Sequence, residues 1–347
     1  LTKLSTAQLT GLTTTSVTNL TDTQVGALTS TQVGKLSSSQ IGALTSTQVQ
    51  AFTTTQANAL TSTQLGSLTT TTLSNLSTTE VGALTSTQVQ GLTTTQLNAL
   101  TTDNIDAIDL TKLSLAQLTG LTTTSVGALT NTQVGSLTST QITSLTTAEI
   151  GALTSTEIQA FTTTQANALT ATQLGGLTTT AVNNLSSTQF GALSSTQLRG
   201  LTTTQLNALT TDNLDALVAS DLSTAEVIGL TTTSIGNMTD TQIGALTSTQ
   251  VGKLSVSQLG ALSTTEFTNL TATQAGALTS TQVGGLTTTN FAALSTTGIP
   301  ALSTAALAGI SVADIDALTT TQGNAFTTTQ IGVLSSDQLS ALVTLVS

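Results

Sequence analysis

The sequence has no cysteine, histidine, tyrosine or tryptophan, one proline, and only five Lys plus Arg. Each absence excludes something. Without Cys there are no disulfides and no thiolate nucleophile; without His the commonest general base and zinc ligand is gone. Ser and Thr hydroxyls are abundant, but a hydroxyl needs an activating base. Lys3, Lys35, Lys112, Lys253 and Arg199 are too sparse to supply one at a defined place. No catalytic or cofactor-binding residue is therefore assigned, and the expectation is a protein that is not an enzyme. Five cationic residues against sixteen acids give a net charge of −11. That balance argues against nucleic acid as a partner, because phosphate binding draws on clustered Lys and Arg. No apolar run approaches the ~18–20 residues a membrane span requires, so no span is expected. The chain begins at Leu1 rather than Met and is read as a processed product or a fragment.

What is present is repetition. Hydrophobic residues make up 37% and charged residues 6% of the chain. Disordered segments show the reverse balance, and the regularly spaced leucines predict order. Aligned on Leu20, the chain reads LTDTQVGA, LTSTQVGK, LSSSQIGA, LTSTQVQA, FTTTQANA. The unit is eight residues, labelled a to h: a is Leu, b to d are Thr or Ser, e is Gln or Glu, f is Val, Ile or Leu, g is often Gly, and h is small. Anchors at a run from Leu4 to Ile108, restart at Leu113 and run to Leu217, then restart at Leu222 and run to Leu342. Both restarts come five residues after the previous anchor instead of eight. The double skip exposes a longer period of 109 residues: KLSTAQLTGLTTTSV from Lys3 returns as KLSLAQLTGLTTTSV from Lys112, and QLNALTTDNIDA from Gln96 as QLNALTTDNLDA from Gln205. Three modules follow, 1–108, 109–217 and 218–347, expected to form one continuous solenoid.

The octad's local structure follows from its end signals. Thr or Ser at b with Gln or Glu at e is a capping-box spacing, with Leu at N′ and the aliphatic f at N4 as a hydrophobic staple. Asn or Gly at h, as at Asn19, Asn75 and Gly91, suits a left-handed residue closing the helix. Each octad thus predicts a short helix, and the fold class is all-α: a superhelical solenoid of very short capped helices, one per repeat. A β-solenoid is the alternative, since Thr and Val favour strands, but a and f are five apart and fall on opposite faces of an unbroken strand. Helices below ~12 residues are marginal alone, so stability must come from octads stacking with a and f inward. Phe52 shares its octad with Ala57 and Phe161 with Ala166, and Gly323 at f precedes Phe326, as local conservation of core volume requires.

Acidic residues gather once per module: Asp103, Asp106 and Asp109, then Asp212, Asp215 and Asp221, then Asp314 and Asp316. Oxygen clusters can hold calcium, which makes the first six calcium candidates. The plainer reading is that acids near helix starts oppose the macrodipole beside the skip. Asn-x-Ser/Thr sequons at Asn19, Asn75, Asn184, Asn237 and Asn269 all place Asn at h, so the repeat itself generates them.

The strings LTSTQVGAL and LTTTQLNAL resemble the short Leu-Thr-Thr-x-Gln-Val-x-Ala repeats of large bacterial secreted and cell-surface proteins, the adhesin-like repeat proteins. The resemblance covers nearly the whole chain and implies an extracellular or cell-surface location. It carries no functional residue. The function expected is a structural one, a subunit of a surface filament or fibre or the stalk of an adhesin, self-associating into a homo-oligomer or filament. The alternative is a ligand-binding adhesin module recognising a glycan, a host protein or calcium.

Overall fold

A computed structural model describes residues 3–347. Among them the regular structure is helical, with no strand: successive α-helices of four to six residues, a final helix Ser336–Val346 of eleven, and four 3₁₀ turns. The all-α solenoid is the architecture, and the β alternative is not.

Every one of these α-helices starts from a Ser or Thr at b in extended conformation, whose hydroxyl accepts the N–H of residue e; Thr29, for example, accepts from Gln32 at 3.2 Å. The reciprocal half of the box is absent only where e is not Gln, Glu or Asp, as with Ser16, Thr72, Asn104 and Ala181. Helices end differently from the sequence expectation. No described residue has positive φ, and Asn19 at h is right-handed with φ −80° and ψ −3°. The anchor closes the helix instead. Its N–H reaches the f carbonyl three residues back, Leu36 to Val33 at 3.2 Å, and Leu36 itself is extended (φ −58°, ψ 146°). Residues a and b thus make a two-residue extended link into the next N-cap, leaving no place for a left-handed residue.

Two compact units are present, Leu1–Leu169 and Thr170–Ser347. Within each, octads wind so that one turn lies on the turn before. Hydrogen bonds between turns join residues 25, 28, 30 and 31 apart, so a turn holds between three and four octads. Positions a and f form the core: Leu28 and Val33 are buried in the first unit, Leu278 and Val283 in the second. The aromatic exchanges fall as expected, with Phe52 and Ala57 both buried, likewise Phe161 and Ala166. Gly323 has a more specific reason. A methyl on it would sit 2.8 Å from Val346 Cγ1 and 2.9 Å from Leu345 Cδ2, because the C-terminal helix fills that space.

Glycine earns its positions by close approach between turns. The three pairs Gly66 with Gly91, Gly175 with Gly200 and Gly284 with Gly309 bring backbone against backbone, and each pair is displaced from the last by 109 residues. A Cβ on Gly91 would stand 2.5 Å from Ser62 Cβ and backbone oxygen. The third module departs from helix locally. Where e is Gly298 or Ala306 no side chain completes the box, and the octads become the 3₁₀ turns Ile299–Ala301, which contains Pro300, and Ala306–Gly309. Gly91→Ala is expected to lower stability measurably, whereas Gly151→Ala, on a helix with nothing within 4 Å of the added carbon, should raise it by about 0.5–1 kcal/mol; urea unfolding of the two variants checks both signs.

Candidate functional site

The most organised polar feature of the fold is the column of residues at e. Gln40 is 2% exposed, yet it satisfies every polar atom it carries. Its Oε1 accepts the N–H of Ser37, completing its own box at 2.8 Å. Its Nε2 turns to the preceding turn and donates to the carbonyls of Leu9, Thr10 and Leu12 at 3.1, 3.3 and 2.7 Å. Those carbonyls belong to f, g and a. The f and g oxygens are helix-end acceptors with few partners inside so short a helix, and the a oxygen lies in the extended link. Gln48, Gln56, Gln165, Gln274 and Gln282 repeat the arrangement. One amide therefore caps its own helix and closes the end of another about thirty residues earlier.

Sequence reasoning assigned Gln only the cap. The second role carried a signal, a preference for Gln over Glu at e, since only the amide offers a donor to the other turn.

At each skip the ladder is re-registered. The five-residue unit removes three residues from the turn, so Gln117 reaches Val89 and Leu92 at separations of 28 and 25 instead of 31 and 28. The first skip is the 3₁₀ turn Leu110–Lys112, with Leu110 buried as a core residue. Lys112 Nζ donates to the Leu84 carbonyl at 2.8 Å, filling the place of a glutamine amide. Asn98 then clamps the shortened turn: its amide donates to Gly120 O at 2.8 Å, and its Oδ1 accepts from Thr122 N and Ser125 Oγ. Asn207 does the same with Gly229, Thr231 and Ser234. The recurrence of Gln-Leu-Asn before each skip was visible in the sequence, but not what the Asn holds.

Of the acidic candidates only Asp106 and Asp109 share a cleft. Asp103 and Asp212 lie exposed in the first turns of Thr102–Asp106 and Thr211–Asp215, where they oppose the helix dipole. Asp109 is the N-cap of the 3₁₀ turn, accepting from the Thr111 hydroxyl at 2.6 Å and the Thr111 N–H at 3.0 Å. The Thr111 hydroxyl holds the Asp109 carboxyl below its ordinary range; burial, the next-largest influence, opposes it, and the Thr111 N–H and the Lys112 charge add to the lowering. Asp106 lines a cleft at the first skip with Asp109 and Gln133, and Asp215 lines the corresponding cleft at the second with Gln242; Asp221 ends the 3₁₀ turn Ala219–Asp221. Among the described residues no three Asp or Glu converge as a metal site. Asp314 completes a capping box with Ser311, and Asp316 ends the same helix. Of the sequons, Asn75 has its amide donated to Thr71 O while its Oδ1 accepts from Gln50.

Four stretches, residues 1–38, 33–70, 182–219 and 308–344, match the model of the ALTTAQ repeat. The chain is a repeat protein. No curated protein matches it. The ALTTAQ-like stretches contain the same b-to-e box and e-to-carbonyl bonds as the octads between them, as Gln64 and Gln205 show.

Two outcomes follow. Ser37→Ala removes a cap alone and should cost about 1 kcal/mol, while Gln40→Ala also strips donors from buried carbonyls and should cost roughly 2–4 kcal/mol; urea midpoints separate them. For Asp109, whose carboxyl is lowered on folding, the stabilisation is present above the ordinary carboxylate range and lost as pH falls through the folded value. The protection of the Thr111 amide, its exchange rate referred to the intrinsic rate at each pH, should fall on acidification in the native chain and be already low and less pH-sensitive in Asp109→Asn.

Proposed function

We propose that this repeat protein is a non-enzymatic structural element of the extracellular or cell-surface space, a filament subunit or the stalk of an adhesin. The observation that carries this reading is the occupation of the octad's chemistry by its own fold. The hydroxyls at b accept helix N–H groups, the amides at e hold two helices at once, and a and f make the core. Most of the side chains a catalytic or ligand-binding reading would draw on are thereby committed to extending the array. An array whose turns interact mainly with neighbouring turns can be lengthened by adding repeats without redesigning a core, which is what a stalk or fibre requires. The exposed d positions and the exposed or half-buried c positions are mostly Thr and Ser with few charges, a surface that like copies can approach without strong repulsion. The resemblance to secreted repeat proteins points to the same setting.

Negative-stain electron microscopy of purified chain, at rising concentration, tests the assembly. Fibres or ordered oligomers with a regular subunit spacing are expected; dispersed monomers at every concentration would remove the filament reading and leave only a stalk.

A further inference from the structure

Five glutamates stand at e, and two of them, Glu149 and Glu226, break the ladder in a way that points to a ligand, because they are the two with a buried carboxylate oxygen that has no partner. Glu149 and Glu226 are 3% and 7% exposed, at a position where most octads carry glutamine. Each uses one carboxylate oxygen for its own cap: Glu149 Oε2 accepts from Thr146 N and Glu226 Oε2 from Ser223 N, both at 2.6 Å. The other oxygen, Oε1, is buried in both and has no hydrogen-bond partner. Its surroundings follow from the 109-residue period. Glu149 is the counterpart of Gln40 and Gln258, whose amides donate to Leu9, Thr10 and Leu12 and to Val227, Ile228 and Leu230. The same register sets Glu149 Oε1 against the carbonyls of Leu118, Thr119 and Leu121. Glu226 is the counterpart of Gln117, which donates to Val89 and Leu92, and so faces the carbonyls of Leu198 and Leu201.

A carboxylate oxygen offers no hydrogen, so where the amide joins two turns the glutamate sets acceptor against acceptor. Burying such a group is costly unless positive charge enters. The slot tolerates positive charge, because at the first skip the Lys112 ammonium donates to the Leu84 carbonyl in the corresponding place. The donors are one carboxylate and neutral carbonyls, all oxygen, the set that suits hard cations.

We propose that Glu149 and Glu226 are cation sites, each binding a hard, oxygen-seeking metal ion of the calcium or sodium class between its free carboxylate oxygen and the carbonyls of the preceding turn. The ion restores the inter-turn link that glutamine makes elsewhere. These sites are separate from the aspartates at the skips, and they make the cohesion of two particular turns depend on the ionic medium.

The test uses the full chain in metal-free N-methylglucamine buffer, with calcium chloride or sodium chloride added against N-methylglucamine chloride at matched ionic strength. The native chain should show a saturable rise of a few degrees in its unfolding midpoint, and calorimetry should register one ion per glutamate. Each of E149Q and E226Q should lose one ion, and the double variant should melt above the metal-free native chain and no longer respond. Both variants install the residue found at the counterpart positions, so folding is preserved. No response beyond the matched control, or an equal response in the double variant, overturns the proposal. So does stabilisation by mild acidification without any metal response, which would mean that a proton fills the slot.

Discussion

The structure depends on a two-handed amide. A helix of four to six residues leaves most of its backbone donors and acceptors without partners inside itself. The b hydroxyl and the e carbonyl oxygen supply the missing partners at the start, and the e amide of a later turn supplies them at the end. Because the same glutamine does both, helix formation and turn stacking are one event. A residue placed only to cap would leave the a carbonyl, buried in the extended link, without a donor. That constraint accounts for the burial of so polar a residue, 1% exposed at Gln48 and 2% at Gln274.

Several other features follow from it. The amide reaches two or three carbonyls at fixed separations, which sets how far one turn may sit from the next and so where backbones touch. Glycine is needed at those touching points, and the pairs from Gly66 with Gly91 to Gly284 with Gly309 mark them once per 109 residues. The skip is a change of register that the ladder absorbs: three residues leave the turn, Lys112 substitutes for an amide, and Asn98 or Asn207 ties the shortened loop. Glu149 and Glu226 are where the same constraint is broken by one atom, and it is there that the inferred ions belong.

Much of this was legible in the sequence, and the remainder was hidden for physical reasons. The helix starts could be read because a capping box is local: Ser37 and Gln40 are three residues apart and need no tertiary information. The inward positions could be read because a and f keep their spacing. The inter-turn bonds could not, since they depend on which octad lies over which, and 28 or 31 residues of separation has no local mark. The glycines at h were read as left-handed helix ends because their backbone freedom is the more familiar use, whereas their lack of a side chain is what matters here. The aspartates near the skips looked like one cluster in sequence and serve distinct places in the structure, Asp109 as a cap and Asp103 as an exposed first-turn acid.

The claim that the amide's second hand holds the turns together is tested most directly by Gln64→Glu. The carboxylate can still accept the Thr61 N–H and so keep the box, but it cannot donate to the Val33 and Leu36 carbonyls that Gln64 now reaches at 3.1 and 2.7 Å. Native-state hydrogen exchange in metal-free buffer should then show the turns on either side of residue 64 opening more readily than in the native chain, with the helix starts elsewhere unchanged. Identical protection in the two proteins would contradict the account, because it would mean that capping and core packing alone hold the turns in place.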